Sequence, residues 1–69
     1  MSTGTVRSFD SAKGYGFIRP DDGSRDVFVS ALVVAQAGMQ PLEAGQRLFY
    51  MLRHDPKVRK NAASDLRAM

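Results

Sequence analysis

The 69-residue sequence contains no cysteine and only one histidine, His54. Without cysteine the chain forms no disulfide and offers no thiolate to a metal or a substrate. A zinc site needs about three or four ligands, and a nucleophilic site needs a base beside its nucleophile, so neither is predicted. We therefore expect no enzymatic activity, no metal and no cofactor, and we interpret His54 as a solvated loop residue.

Long apolar segments are missing as well. The longest apolar run, residues 31–35, has five residues, whereas a membrane helix needs about 20. The first five residues, MSTGT, contain no apolar signal core. We therefore expect no membrane association and a cytoplasmic location. A chain of this length is too short for two ordinary domains, so we interpret residues 1–69 as one domain.

Positive charge is in excess and is unevenly distributed. Ten Lys and Arg residues face seven Asp and Glu residues, which gives a net charge of +3. Residues 1–46 carry a net charge of −1, and residues 47–69 carry +4. Such a balance favours a polyanionic partner, because a cation that neutralises a phosphate releases counterions. A mildly basic domain without such a partner is the alternative.

Apolar residues alternate in short runs separated by turn signals at residues 10–14 and 20–24. A short helical turn is predicted over 31–37, with Ser30 as its cap and Gly38 at its end. The evenly spaced strands, without long helices, indicate a small sandwich or barrel. Strands are predicted over residues 5–9, 15–19, 26–30 and 48–53, and a weaker one over 62–66.

Two faces are expected for these strands, because successive side chains point to opposite sides of a sheet. Ile18, Val27 and Val29 form the natural core set on one face. On the other face, the second and third strands can bring together Tyr15, Phe17 and Phe28. In the first strand, Arg7 and Phe9 alternate away from Val6. Four of the six aromatic residues, Phe9 and the three just named, are therefore expected on the outer face, ringed by Arg7, Lys13 and Arg25.

A contiguous aromatic patch on an exposed sheet usually marks a binding surface. Unpaired bases stack on such rings, at about 1–3 kcal/mol per base, while nearby cations bind the phosphates. Duplex bases are already stacked on one another, so a single strand is the better ligand. The alternative is that the aromatic face is a second core face, covered by a loop or by the C-terminal segment.

Three sequence runs resemble the cold-shock domain family in order and spacing: GTVRSFD at 4–10, KGYGFI at 13–18 and DVFV at 26–29. The resemblance covers about residues 4–66, which we take as the core of the domain. An RNA-recognition motif has a similar aromatic run, but it needs two long helices and a longer chain. The resemblance implies a five-stranded antiparallel Greek-key barrel of the oligonucleotide-binding type, with single-stranded RNA or DNA crossing the first three strands.

The resemblance also implies which residues contact nucleic acid. Its base-stacking and backbone-contacting positions are Phe9, Tyr15, Phe17 and Phe28. Its basic and polar positions are Arg7, Lys13, Asp26 and, in the last loop, Lys57 or Arg59. Together with Lys60, the two loop cations are either phosphate contacts or members of a merely solvated basic loop.

Several positions depart from the family pattern. Ser8 stands in place of a tryptophan, Ser30 and Ala31 in place of a histidine and an aromatic residue, and Met39 in place of another aromatic residue. Each change removes a flat π-surface, which predicts weaker base stacking. Either the site binds fewer nucleotides and relies more on phosphate charge, or the barrel serves another partner. For Ser30 we favour the role of helix cap.

The predicted function is low-specificity binding of single-stranded RNA or DNA, with a consequent role as an RNA chaperone or a regulator of transcription or translation. The alternative is a degenerate barrel that acts as a protein-interaction or homodimer module. The family pattern turns Leu48, Tyr50 and Leu52 inward. Phe49 and Met51 then face outward, where they can contact a partner protein or a second copy of the chain. The chain is therefore expected to be a monomer or a weak homodimer.

Overall fold

Five strands and one short helix form the fold in the computed structural model, which describes residues 1–57 and 59–69, with every side chain except that of Asp55. All the predicted strands and the helical turn are confirmed, and the first, fourth and fifth strands are longer than predicted. Val58, in the predicted basic loop, lies outside the described residues. The elements are β1 Ser2–Asp10, β2 Tyr15–Pro20, β3 Val27–Ser30, α1 Ala31–Gln36, β4 Arg47–Asp55 and β5 Lys60–Ala68.

The strands close into a barrel in the order β1-β2-β3-β5-β4. Around the ring β4, β1, β2 and β3 are neighbours in that order, which is the Greek-key arrangement. The predicted five-stranded barrel of oligonucleotide-binding type is thus confirmed. The expectation of purely antiparallel pairing is wrong for one contact, because β3 and β5 run parallel. A ring with an odd number of strands cannot alternate direction throughout, so at least one pairing in a closed barrel of five must be parallel.

The interior of the barrel is apolar, and it contains the three residues predicted as core, Ile18, Val27 and Val29. Burial of such side chains is the main source of stability in a chain this small. Helix α1 contributes one buried residue from outside the strands. Among the described residues, the hydrophobic core cluster consists of Val6, Ile18, Val27, Val29, Val34, Leu42, Leu48, Tyr50, Ala63 and Leu66.

In β4 the predicted inward positions are confirmed for Leu48 and Tyr50 but not for Leu52, which is 50% exposed. The reason is the length of the neighbouring strand. The pairing of β1 with β4 ends where Ser2 faces Tyr50. Leu52 therefore lies beyond the end of β1, where the barrel has no strand on that side to cover it.

Helix α1 begins at a side-chain cap. The Ser30 hydroxyl accepts a hydrogen bond from the backbone N–H of Val33 at 3.2 Å, which confirms the predicted cap. The backbone N–H of Ala31 donates to the carbonyl of Gly14 at 2.8 Å, so the start of α1 is fixed against the β1–β2 turn. No helix in the described part of the chain is long and apolar enough to cross a membrane.

Candidate nucleic-acid interface

Three aromatic rings lie together on the outer face of β2 and β3, and we call Tyr15, Phe17 and Phe28 the aromatic platform. Phe17 is directly opposite Phe28 in the antiparallel pairing. The Tyr15 and Phe28 rings are stacked with centroids 5.7 Å apart, and the Phe17 ring meets each of them edge-on, at 6.0 and 6.1 Å. Tyr15 is 37% exposed, and the other two are half-buried. The predicted outward gathering of these three rings is confirmed.

Phe9 does not face outward with Arg7, so that expectation is wrong. A bulge in β1 pairs Val6 with Ile18 but Ser8 with Phe17, which leaves Arg7 as the extra residue. A bulge of one residue reverses the faces of all the residues that follow it. Phe9 consequently lies opposite Gly16 and packs, half-buried, against the core.

Gly16 is required by this position of Phe9. A Cβ atom at residue 16 would contact the backbone oxygen of Ser8 and lie 2.7 Å from the Cα atom of Phe9. The ring of Phe9 approaches the same point, with its Cδ1 atom 2.8 Å away. Gly16 is therefore a close-packing residue, and its absent side chain lets β1 and β2 approach each other beside the platform.

A small cleft of about 300 Å³ lies beside the platform, between the end of β1 and the start of β2. Phe9 lines this cleft together with Lys13, Tyr15 and Phe17. The Asp10 carboxylate holds the turn by accepting a hydrogen bond from the backbone N–H of Lys13 at 3.1 Å. The fold therefore brings Phe9 to the flank of the platform and places the exposed Lys13 beside it.

Arg7 and Asp26 form an ion pair at the other side of the platform. The Nη1 atom of Arg7 donates to an Asp26 carboxylate oxygen at 2.6 Å. Arg7 is exposed and Asp26 is half-buried. An exposed pair of this kind contributes only about 0–1 kcal/mol to stability. Its main consequence is geometric, because the carboxylate restricts where the guanidinium can lie.

A larger cavity of about 750 Å³, which we call the cationic groove, adjoins the platform at Phe17. Residues of β1, of the β2–β3 loop and of the β4–β5 hairpin line it, and Asp26 is its one acidic lining residue among those described. The Nζ atom of Lys60 lies 5.5 Å from the centroid of the Phe17 ring, which is within cation–π range. The polar residues that line the groove include Arg7, Arg25, His54, Arg59, Lys60 and Asn61.

The sequence reasoning missed His54 and Asn61 as lining residues of this groove. His54 is exposed as expected, but it lies in β4 rather than in a loop, directly opposite Asn61 of β5. Only the pairing of β4 with β5 reveals this placement, because directly opposite residues point to the same side of a sheet.

Lys57, which was predicted to contact nucleic acid, is exposed in the turn that joins β4 to β5.

The residues that depart from the family pattern lie in different parts of the structure. Ser8 is exposed opposite Phe17 and lines both the cleft and the groove, so a small polar side chain stands next to the platform. Ser30 caps α1, and Met39 packs against the core. Met39 is therefore mainly a packing residue.

Among the residues that the structure describes, no cluster of three or more acidic or histidine side chains is placed to hold a metal ion.

The family comparison agrees with this geometry. Residues 2–69 match the model of the "'Cold-shock' DNA-binding domain". The chain belongs to the cold-shock domain family. As a cold-shock domain it is a nucleic-acid-binding protein in general terms, and the aromatic platform lies on two of the strands that carried the sequence resemblance.

Three curated relatives illustrate the similarity. The cold-shock domain is 52% identical over 68 residues, 99% of both chains, to "Cold shock protein CspA" of Rhizobium meliloti. It is 50% identical, with the same coverage, to "Probable cold shock protein y4cH" of Sinorhizobium fredii. It is 40% identical over 57 residues to "Cold shock-like protein CspD" of Vibrio cholerae, which covers 83% of this chain and 75% of the relative.

Proposed function

We propose that this cold-shock domain binds single-stranded RNA or DNA with little sequence preference by stacking unpaired bases on the aromatic platform. The observation that carries the proposal is the gathering of three mutually contacting rings, Tyr15, Phe17 and Phe28, on the outer face of the sheet, where Tyr15 is exposed and the other two are half-buried. Every base has a π-face, so stacking on these rings tolerates any sequence. Hydrogen bonds to base edges, which would read sequence, are not needed for this mode of binding.

Charged residues around the platform bind the backbone in this proposal. Lys13 and Arg7 lie at its two sides, and Arg59 lies in the adjoining groove. Phe9 contributes the edge of its half-buried ring in the cleft. Asp26 acts through Arg7, since its carboxylate holds the guanidinium at 2.6 Å. Lys57 in the last turn supplies further positive charge to the same backbone.

The consequence of such binding is RNA chaperoning, which can regulate transcription or translation. A protein that binds only unpaired strands shifts the pairing equilibrium by mass action, without catalysis and without a cofactor. Its effect on a hairpin is therefore limited by its affinity for the open strand.

The test is a titration of heptathymidylate and of a U-rich RNA at about 50 and 200 mM salt. Phe17→Ala and Phe28→Ala each remove one stacking surface and should weaken binding by about fivefold to 150-fold, which corresponds to about 1–3 kcal/mol. Phe17→Leu keeps an apolar side chain but removes the π-face, so it should lose nearly as much affinity. Leu32→Ala truncates an exposed apolar residue on α1 and is the matched control.

Two results would contradict the proposal. The first is an absence of saturable single-strand binding even at low salt. The second is equal affinity of wild type and both phenylalanine variants, which would mean that charge alone attracts the ligand. A fluorescently labelled RNA hairpin extends the test, because the wild-type protein should lower its melting temperature more than Phe17→Ala does at the same concentration.

A protein-interaction or weak homodimer function has less support. Met51 is 43% exposed and Phe49 is half-buried on the outer face of β4. Phe49 lies directly opposite the exposed Arg67 of β5, so a charge interrupts the apolar surface. Sedimentation over a wide concentration range tests the homodimer, since a contact between two copies through Phe49 and Met51 would raise the mean mass with concentration.

A further inference from the structure

We propose that a separate cavity, between α1 and the outer face of β4 and β5, binds an extended acidic peptide segment of a partner protein. Its volume is about 540 Å³, and we call it the helix–sheet cavity. Residues of α1, Met51 and Arg53 of β4, and residues 64–67 of β5 line it. The inference goes beyond single-strand binding and does not depend on it, because no described residue that we assign to nucleic acid lines this cavity.

The cavity exists because β3 is short. β3 has four residues, and its described parallel pairing with β5 is between Phe28 and Ala62. Farther along β5, helix α1 takes the place of a neighbouring strand, with Val33 and Ala37 half-buried against the core. A helix cannot form the hydrogen-bonded ladder that holds neighbouring strands about 4.8 Å apart, so space remains between α1 and the sheet.

Two arginines mark the two ends of this surface. Arg67 of β5 is directly opposite Phe49 of β4, and Arg53 lies four residues beyond Phe49 in the same strand, with Met51 between them. Residues two apart in a strand share a face, so the order along the outer face is cation, apolar residue, cation. The two arginine positions are roughly 13 Å apart along the strands, because each strand residue advances about 3.3 Å.

Both arginines are available to a carboxylate. Arg53 and Arg67 are exposed, and among the described side chains neither has a carboxylate within salt-bridge distance. Asp65 also lines the cavity, so its described charged residues sum to +1. The planar fork of a guanidinium matches a carboxylate with two parallel hydrogen bonds. The arginine that interrupts an apolar contact at Phe49 therefore suits an acidic partner.

The rest of the lining favours a peptide over a nucleic acid. Met51 is 43% exposed between the two arginines, and Val33, Ala37 and Leu66 supply further aliphatic surface. The described lining residues include no aromatic ring, so unpaired bases have nothing to stack on here. Methionine adapts its shape to many apolar side chains.

These features specify the sequence of the bound segment. Alternate residues of an extended chain point the same way, and four residues of it span roughly 13 Å. Two acidic residues four positions apart can therefore reach Arg53 and Arg67 together. An apolar residue midway between them then contacts Met51, which gives the order acidic–x–apolar–x–acidic.

The experiment is an NMR titration of isotope-labelled protein with the blocked peptide Ac-GSESLSESG-NH2, up to about 2 mM. One control peptide has glutamine in place of both glutamates, and another has serine in place of leucine. The Arg53→Ala/Arg67→Ala variant removes both cations of the cavity. Its matched control, Arg19→Ala/Arg25→Ala, removes two exposed arginines that do not line the cavity. The spectrum of each variant also reports whether it is folded.

We expect saturable shifts that are largest in α1, at residues 51–53 and at residues 64–67. The Arg53→Ala/Arg67→Ala variant should bind the peptide about tenfold more weakly at about 50 mM salt, because two ion pairs are lost. The glutamine peptide should lose about as much affinity, and the serine peptide about fivefold. The Arg19→Ala/Arg25→Ala variant should bind the peptide within about twofold of wild type. The Arg53→Ala/Arg67→Ala variant should keep its heptathymidylate affinity within about twofold.

Four results would overturn the peptide site. The first is an absence of saturable shifts at about 2 mM peptide. The second is a set of shifts that is largest at the aromatic platform or the cationic groove, where an acidic peptide would only imitate the charge of a nucleic acid. The third is an equal loss of peptide affinity in the two double variants, which would indicate general charge.

The fourth result is a loss of heptathymidylate affinity in Arg53→Ala/Arg67→Ala as large as its loss of peptide affinity. The two arginines would then belong to a nucleic-acid surface. If the wild-type protein bound the peptide but not heptathymidylate, the proposed single-strand function would fail and the peptide site would stand.

Discussion

Among single residues, those with small side chains determine how the outer surface of the barrel is arranged around the aromatic rings. Gly16 allows Phe9 to cross over β2, and Ser8 leaves space beside Phe17. The three platform rings follow strict alternation, so their faces are fixed by local backbone geometry. In β5 the small residue Ser64 brings a hydroxyl into a buried position.

Replacing Ser64 with alanine should stabilise the protein. The Oγ atom of Ser64 is buried and has no hydrogen-bond partner among the described residues. A buried unsatisfied polar atom costs about 1–3 kcal/mol, so Ser64→Ala should gain about 1 kcal/mol and raise Tm by about 4–8 °C. Thermal unfolding measures the shift.

Ser11→Ala is the matched control, because it removes the same hydroxyl from the exposed β1–β2 turn. Its stability should change by less than about 0.5 kcal/mol. A loss of stability in Ser64→Ala would show that the hydroxyl of Ser64 has a partner, most simply a bound water.

At the scale of elements, irregular strand pairing determines the site as much as regular pairing does. The β1 bulge separates Arg7 from Phe9, which sends the cation to the groove and the ring toward the core. A second irregularity, between Phe49 and Met51 of β4, coincides with Asp65 in the left-handed region at φ 50°. Both irregularities change the direction of side chains without ending a strand.

The contact between β1 and β2 should be sensitive to a single methyl group. Gly16→Ala places a Cβ atom 2.7 Å from the backbone of Phe9, so the strands must separate. We expect a loss of about 3 kcal/mol, since the obstructing atoms are backbone and cannot rotate away. Single-strand affinity should fall as well, because Phe9 and Phe17 flank the altered contact.

Gly23→Ala separates this packing effect from backbone strain. Gly23 has φ 81° but nothing within 4 Å of its added Cβ atom, so only the conformational cost of about 1 kcal/mol applies. Urea unfolding of both variants gives the comparison. Equal losses in Gly16→Ala and Gly23→Ala would contradict the close-packing role of Gly16.

At the scale of the whole molecule, one end of the barrel combines burial with negative charge. Tyr50 is 1% exposed and lies in the core, near the acidic β2–β3 turn. Burial first, and then the charges of Asp22 and Asp21, raise the pKa of Tyr50 above its usual value of about 10. The folded barrel therefore disfavours the tyrosinate form.

This shift predicts a loss of stability at alkaline pH. Because the pKa of Tyr50 is higher in the folded state, its contribution is complete below about pH 10 and is lost as pH rises through the folded-state value. Urea midpoints of wild type and Tyr50→Phe should therefore converge or cross above about pH 10. Tyr15→Phe, which removes an exposed hydroxyl, is the control. Parallel midpoint curves for wild type and Tyr50→Phe would contradict the prediction.

Much of the fold was predictable from local patterns. Alternation alone located β2 and β3, assigned Ile18 and Val29 to the core, and placed Phe17 with Phe28 on the outer face. The errors have one common cause. Phe9 was assigned by alternation and Leu52 by the family pattern, but the face of Phe9 depends on a bulge and the burial of Leu52 depends on where the neighbouring strand ends.

Local sequence patterns account for the strands, the core face and the three platform rings, because the two-residue period of a strand is a property of neighbouring residues. The parallel β3–β5 contact, the β1 bulge and the groove depend instead on contacts between distant segments. The groove forms because the β4–β5 hairpin lies against β3, where Phe28 of β3 pairs with Ala62 of β5. Such a contact joins segments far apart in the chain, and closure of a five-stranded ring, rather than any local pattern, sets its position.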